Sequence, residues 1–207
     1  MKTVACKWRI LAATGLLSAG IASIFGFADG AVAQEPPRGG VVTMAIGSDP
    51  TNINPNLSSN YANQLLGCMI YQGLVQVSID SKIQPLLAKS WTISPDGLVY
   101  TFDLVKANWH DGKPFTSEDV KYSLTEVSAK YGPIFAASGK LIDSVETPAP
   151  DKVIVKLKQS FGPFLMSLAC PQNGAIMPAH IFRGTDPLTN PASSSAPVGT
   201  GPFKLAE

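Results

Sequence analysis

Hydrophobic and polar residues alternate along two stretches of the chain, and a turn sequence interrupts each stretch. In the first, Tyr100, Phe102 and Leu104 fall on one face of an extended segment, with polar residues between them. The sequence "PDG" at residues 95–97 precedes this segment and predicts the turn of a β-hairpin. A second hairpin is predicted at residues 141–158, where "TPAPD" separates two alternating runs.

Three other segments have the apolar spacing of helices. One begins at Tyr61 in "YANQLLGCMIYQGLV", and the others are predicted at residues 117–130 and 163–169. Short apolar runs at residues 41–46 and in the C-terminal "GPFKLAE" predict two single strands. This mixture predicts an α/β or α+β module that contains antiparallel hairpins and short helices.

The start of the chain has the pattern of an export signal. Lys2, Lys7 and Arg9 precede an uncharged apolar run at residues 10–27, and the small-residue sequence Ala-Val-Ala follows at 31–33. The run is close to the minimum of ~17 residues for a membrane-spanning helix, so an uncleaved anchor is the alternative. Cleavage after the last of these alanines predicts a protein that the Sec pathway exports to the periplasm.

The rest of the chain carries a nearly balanced charge. Residues 34–207 hold 13 of the 16 Lys and Arg residues and 14 of the 15 Asp and Glu residues, with both signs scattered. This balance argues against a nucleic-acid partner and against binding to an anionic membrane surface. Two cysteines remain, Cys68 and Cys170, each next to apolar residues. Two buried thiols are favoured over a disulfide, although export would permit a disulfide.

The stretch "NWHDGKPFTSEDVKYSL" at residues 108–124 holds the candidate chemistry of the chain. His110 and Asp111 could act as acid and base in a secreted hydrolase. The structural interpretation instead places a turn at Asp111 and an N-cap at Thr116, with Asp119 reaching back as in a capping box. This interpretation gives the carboxylates a structural role, so we favour it and expect no enzyme.

Motifs of enzymes and metal sites are missing from the sequence. It contains no G-x-S-x-G, H-E-x-x-H, Walker A or G-x-G-x-x-G sequence, and its two histidines lie 70 positions apart. We therefore expect no catalytic residues, no bound metal and no cofactor.

The order of these features resembles family 5 of the bacterial solute-binding proteins, the receptors of ABC importers for oligopeptides, dipeptides, nickel chelates and some sugars. The resemblance is carried by "LAKSWTISPDGLVYTFDLVKANWHDGKPFTSEDVKYSL" at residues 87–124, and by "SDPTNINP" (48–55), "YQGLV" (71–75) and "PVGTGPFKL" (197–205). It implies the cluster II fold of the periplasmic binding proteins, of which this chain would form only the first lobe.

The resemblance also implies a domain organisation. Residues 1–33 would be the signal peptide, and residues 34–56 the first strand and the loop that enters domain I. Residues 57–180 would form a subdomain of hairpins and helices, and residues 181–207 a truncated return into domain I. Because members of the family are much longer, we expect the chain to be an N-terminal portion of a receptor.

By the same resemblance, the loop before the first helix lines the ligand cleft, which points to Ser59, Asn60 and Tyr61. The segment after the capped helix would add an aromatic side chain, with the best match at Phe135 and with Tyr131 as its neighbour. The implied function is capture of a peptide or a similar small solute and its delivery to an ABC permease in the inner membrane. The full-length receptor is expected to be a monomer.

Overall fold

The computed structural model describes residues 40–41 and 43–206. The predicted signal peptide at residues 1–33 lies outside the described residues. From Met44 onward the chain forms one unit. In this described part, no helix has both the length and the apolar composition that crossing a bilayer requires.

A four-stranded antiparallel sheet forms the centre of this unit. Its strands lie in the order β3-β4-β6-β5, with β3 at Ala88–Ile93, β4 at Val99–Leu104, β5 at Ile142–Ala149 and β6 at Lys152–Leu157. Both predicted hairpins are confirmed, because β3 pairs with β4 and β5 pairs with β6. In the central pair, Tyr100 lies opposite Val155 and Phe102 lies opposite Val153. The alternation in the two central strands therefore turns one apolar face toward the core.

Short helices and a small ribbon surround the sheet. The ribbon pairs β1 (Val75–Val77) with β2 (Ile83–Pro85), and the α-helices are α1 (Tyr61–Ile70), α2 (Ser117–Tyr122), α3 (Ala129–Tyr131), α4 (Ala136–Lys140), α5 (Phe164–Ser167) and α6 (Ala179–Phe182). Short 3-10 turns lie at Pro55–Leu57, Cys170–Gln172 and Pro191–Ser193. The helices predicted from Tyr61, from residue 117 and within residues 163–169 are thereby confirmed.

The helix predicted at residues 117–130 contains a turn that its sequence pattern did not indicate. A π-helical segment, Ser123–Ser128, joins α2 to α3 without a break. The hydroxyl of Ser123 donates a hydrogen bond to the carbonyl of Asp119 at 2.6 Å and accepts one from the N–H of Met177 at 2.7 Å. A side chain that binds both the ladder and a neighbouring segment is a recognised cause of such local distortion.

Asp119 organises the start of this helical run. Its Oδ2 accepts a hydrogen bond from the backbone N–H of Thr116 at 2.9 Å, which is the predicted capping contact. Its Oδ1 accepts the N–H of Ala179 at 2.9 Å, and the indole of Trp109 lies 3.4 Å from Oδ2. A buried carboxylate is costly unless hydrogen bonds satisfy it, and here they also attach α6 to the start of α2.

Two clusters of buried side chains hold these elements together. The larger cluster lies against the sheet, where the ring of Phe164 packs 4.9 Å from that of Tyr100. The smaller cluster surrounds Tyr71, whose hydroxyl donates a hydrogen bond to the carbonyl of Ala192 at 2.8 Å. Burial raises the pKa of the Tyr71 phenol far above its ordinary value, so this group stays a neutral donor.

The two predicted single strands are wrong. Residues 41 and 43–46 are irregular, and the side chains of Val41 and Met44 are exposed, because no described strand lies beside them to complete a ladder. Residues 201–206 are also irregular. Their backbone binds the end of α1 instead, since the N–H of Gly201 donates to the carbonyl of Ile70 at 2.7 Å. The last carbonyls of a helix have no hydrogen-bond donor within the helix, and the N–H of Gly201 is such a donor for α1.

Candidate functional site

An open groove with a volume of about 480 Å³ runs along α1. Tyr61, Leu65 and Met69 line it from one side, at a spacing of four residues that places them on one face of the helix. Ile134 and Pro171 line it from other segments of the chain. The groove is therefore an apolar surface that three separate parts of the sequence form together.

The start of α1 sets the direction of Tyr61. Asn60 is the N-cap, and its side-chain oxygen accepts a hydrogen bond from the N–H of Ala62 at 2.8 Å. The hydroxyl of Ser58 accepts the N–H of Asn60 at 3.0 Å, which fixes the cap itself. Tyr61 is thus the first residue of the helix, and 77% of its surface is exposed. A large aromatic ring so exposed is available to a ligand.

Buried amide side chains hold the loop before α1 against the rest of the groove. The amide nitrogen of Gln64 donates to the carbonyl of Pro55 at 2.6 Å. The amide nitrogen of Asn173 donates to the carbonyl of Ser58 at 3.0 Å, and its oxygen accepts the N–H of Ile134 at 2.7 Å. One residue therefore connects the loop that carries Ser59 with the segment that carries Ile134.

A disulfide between Cys68 and Cys170 closes one side of the groove, so the expectation of two free thiols is wrong. The Cα atoms of the two residues lie 5.8 Å apart, within the range that a disulfide spans. They are 102 positions apart in the sequence, so only the packing of α1 on the Cys170–Gln172 turn reveals their proximity. Cys68 lies in the lining of the groove, and Pro171 follows Cys170 directly.

The predicted ligand-binding residues do not all lie in the groove. Ser59 and Tyr61 line it, and Asn60 acts as the helix cap beside it. Phe135 is fully buried in the larger cluster and offers no surface to a solute in this structure. Tyr131 is half-buried at the end of α3 and is not part of the lining.

Sequence reasoning missed most of the apolar lining. Leu65 and Met69 stand in the periodic pattern that predicted α1, but that pattern does not tell a buried face from a groove. Ile134 adjoins the predicted Phe135, and its exposed fraction of 39% distinguishes it from that neighbour only in three dimensions. In the sequence, the groove was indicated only by the four-residue spacing of Tyr61, Leu65 and Met69, which places them on one face of α1.

His110 lies in contact with the returning chain and does not pair with Asp111. The N–H of Gly199 donates to its Nδ1 at 3.3 Å, and its Nε2 lies 2.8 Å from the carbonyl of Gly201. An Nδ1 that accepts and an Nε2 that faces a carbonyl together assign a proton to Nε2. The Nζ of Lys204 also donates to the His110 carbonyl at 3.1 Å. The residue thus fastens the segment at 199–204.

Asp111 has a different histidine as its partner. Its Oδ2 lies 2.7 Å from the Nε2 of His180 on α6. Partial burial acts to raise the pKa of Asp111, but the hydrogen bonds from His180 and from the N–H of Lys113 outweigh it and lower the pKa. The proposed hydrolytic pair of His110 and Asp111 is therefore divided between two structural contacts, and its geometry gives the hydrolase interpretation no support.

The described residues also offer no obvious metal centre. Across residues 40–41 and 43–206, no three His, Cys, Asp or Glu side chains converge as metal ligands would. The candidate site of this part of the chain is accordingly the uncharged groove along α1.

Comparisons with known proteins all point to one family of solute-binding proteins. Residues 82–207 match the family described as "Bacterial extracellular solute-binding proteins, family 5 Middle". An ABC transporter peptide-binding protein of Brucella ovis is 42% identical over 136 residues, which cover 62% of this chain and 25% of that protein. The glutathione-binding protein GsiB of Escherichia coli is 31% identical over 199 residues, which cover 95% of this chain and 37% of that protein.

A solved structure supports the same fold. The oligopeptide-binding protein AppA of Bacillus subtilis, in complex with a nonapeptide, superposes with a TM-score of 0.68 at 29% identity, covering 77% of this chain and 32% of that one. The predicted mixed α/β fold of the cluster II periplasmic binding proteins is thereby confirmed. The matched residues span 25% of the Brucella ovis protein and 37% of GsiB, so the chain corresponds to well under half the length of these relatives. With a family match over more than half of its residues, the chain belongs to family 5 of the bacterial extracellular solute-binding proteins.

Proposed function

We propose that this chain contributes one wall of the solute site in an extracytoplasmic receptor of an ABC importer, and that the wall is the groove along α1. The observation that carries the proposal is the groove itself, where Ser59 and Tyr61 lie beside the half-buried Leu65 and Met69 and the exposed Ile134. Concave surfaces that combine apolar lining with a few polar groups are the usual form of small-molecule sites.

The proposal assigns the solute to peptides or related small molecules. Its support is what similar proteins bind, since they include the ABC transporter peptide-binding protein of Brucella ovis and AppA, whose structure holds a nonapeptide. Ser59, Asn60 and Tyr61 are proposed as the contacts on the α1 side. Phe135 is proposed to support the opposite wall from behind, because it is fully buried next to Ile134. The half-buried Tyr131 stays a proposed contact on that side.

The proposal also includes a place and a partner. The proposed place is the periplasm, reached through the Sec pathway, and its support is the basic and apolar pattern of residues 1–33. The partner would be an ABC permease of the inner membrane, which receives the solute when the binding site opens. A receptor of this kind performs no covalent chemistry, so we expect no hydrolysis of the peptides that it binds.

A chemical-shift titration tests the groove as a solute site. We expect millimolar trialanine to shift the backbone amide signals of Ser59, Tyr61, Met69 and Ile134 in the protein. Tyr61→Ala should weaken these shifts, whereas Ile79→Ala, which truncates an exposed apolar residue between β1 and β2, should preserve them. Shifts confined to other surfaces, or no shifts at all, would contradict the proposal.

A further inference from the structure

We propose that the groove along α1 accepts an uncharged apolar group of the solute, such as an aliphatic or aromatic side chain, and discriminates against charged groups. The inference rests on the proposed function, because it assumes that a solute occupies this groove. It adds the chemical class of the group that binds there.

Among the described residues, those that line the groove include no charged side chain. Leu65, Met69, Ile134 and Pro171 offer carbon and sulfur surface, and Tyr61 adds the face or edge of its ring. An ammonium or carboxylate group that leaves water for such a surface loses hydration without gaining an ion pair. An apolar group that makes the same move removes its surface from water, which is favourable in proportion to the area buried.

The polar atoms at the groove are mostly occupied by the fold. The Nε2 of Gln64 donates to the carbonyls of both Pro55 and Ser58, so it has no proton left for an anionic ligand. Its Oε1 finds no hydrogen-bond partner among the described residues, but that atom is buried beneath the surface. The hydroxyls of Ser59 and Tyr61 remain as neutral groups that can orient a solute without requiring a charge.

The framework of the groove is fixed, whereas part of its surface can adapt. The disulfide attaches α1 to the turn that carries Pro171, and Asn173 attaches the loop at Ser58 to Ile134. Met69 is an unbranched and polarisable side chain that can follow ligands of different shape. These properties favour recognition of a class of apolar groups over recognition of a single one. The volume of about 480 Å³ leaves room for large aromatic groups.

Methyl-detected NMR with matched probes tests this inference. The probes are the N-acetyl amides of leucine, phenylalanine, glutamate and lysine, which share one backbone and differ in side-chain charge. In protein labelled at Leu, Met and Ile methyls, leucine and phenylalanine probes should shift the signals of Leu65, Met69 and Ile134. Their dissociation constants should be at least about tenfold lower than those of the charged probes. This ratio corresponds to a difference of about 1.4 kcal/mol in binding free energy. The methyl of Met166, exposed on α5, serves as the internal control.

A pair of variants sharpens the test. Met69→Glu should weaken binding of the leucine probe and create a preference for the lysine probe at the groove. Ile79→Glu places the same charge on an exposed apolar position between β1 and β2 and should leave all probe affinities unchanged. The methyl spectrum of each variant reports whether it is folded.

The possible outcomes separate the inference from the proposed function. Equal or tighter binding of charged probes would overturn the inference alone, because the groove would still bind solutes. Absence of shifts with every probe would overturn it as well, and the trialanine titration then decides whether the proposed function also fails. If these methyl signals move when the protein is diluted without probe, the groove is a contact between copies of the chain, and the inference is wrong.

Discussion

The side-chain oxygen of Asn173 accepts a hydrogen bond from the backbone N–H of Ile134 at 2.7 Å. The amide nitrogen of the same side chain donates to the carbonyl of Ser58 at 3.0 Å. Asn173 has a left-handed backbone conformation with φ of 58°, and it is fully buried. A single buried amide thus connects the two segments that face each other across the groove, and its conformation suits asparagine better than most residues.

Asn173→Gly is expected to destabilise the protein by about 1–3 kcal/mol, because the part-buried N–H of Ile134 loses its acceptor and the carbonyl of Ser58 loses this donor. Glycine retains the positive φ, so the loss reports the side chain and not backbone strain. Ser81→Gly is the matched control, since Ser81 also has a positive φ (60°) but is exposed. Urea denaturation of both variants measures the difference. Equal stability of Asn173→Gly and the unsubstituted protein would contradict this role.

Breaking the Cys68–Cys170 disulfide should lower the free energy of unfolding by up to about 4–5 kcal/mol in the chain-entropy model, because the bond closes a loop of about 100 residues. Denaturation of the Cys68→Ser/Cys170→Ser variant measures this loss. In a Cys6→Ser variant, no thiol should react with a thiol reagent in denaturant until a reductant is added. Two reactive thiols before reduction would show that the bond does not form.

The local parts of this fold were predictable from the sequence, and the parts that depend on distant contacts were not. The alternation at Tyr100, Phe102 and Leu104 and the capping contact of Asp119 involve neighbours in the chain, so each pattern carries its own explanation. The disulfide and the hydrogen bonds of Asn173 join residues that only the packed structure brings together.

The candidate site follows the same division. Ser59 and Tyr61 came from the family resemblance and line the groove, whereas Leu65 and Met69 were assigned only to the period of a helix. Phe135 was placed at the site by an aromatic match, but its side chain points into the core and the neighbouring Ile134 reaches the groove. Which side of a segment faces a cleft depends on the elements packed behind it, and a single sequence does not show this.

Gly199→Ala should destabilise the protein by about 3 kcal/mol or more, at the upper end of the usual cost of overpacking. A Cβ at this position would overlap the carbonyl oxygen of Ile70, which belongs to the backbone at the end of α1. Gly162→Ala is the control, because an added Cβ there meets no atom within 4 Å, and its expected effect is within about 0.5 kcal/mol. Equal melting temperatures of the two variants in thermal unfolding would contradict the close approach of Gly199 to the Ile70 carbonyl.

Acid should weaken the contact between Asp111 and α6. The pKa of Asp111 is lower in the folded protein than in the unfolded chain, where it is about 3.9. The stabilisation from the Asp111 carboxylate is therefore fully present above the pKa of the unfolded chain. It is lost as the pH falls through the lower pKa of the folded protein. Because the Asp111–His180 pair is partly exposed, we expect it to contribute less than about 1 kcal/mol to the free energy of unfolding.

Denaturation at pH 6 and at pH 3 measures this acid dependence. Asp111→Asn should lose less stability between the two conditions than the unsubstituted protein, because it has no carboxylate to protonate. His180→Ala should also reduce the loss, because it removes a hydrogen bond that lowers the pKa of Asp111. The same loss in all three proteins would show that the contact contributes nothing.

Photochemical cross-linking with a tripeptide that carries a benzophenone side chain tests the binding of solutes along α1 most directly. Mass spectrometry of the digested protein locates the attachment, and an excess of unlabelled peptide shows whether the reaction saturates. We expect saturable cross-links at Leu65, Met69 or Ile134, which Met69→Glu diminishes and Ile79→Glu does not. Attachment only at other surfaces, or labelling that unlabelled peptide fails to suppress, would contradict the groove as the solute site.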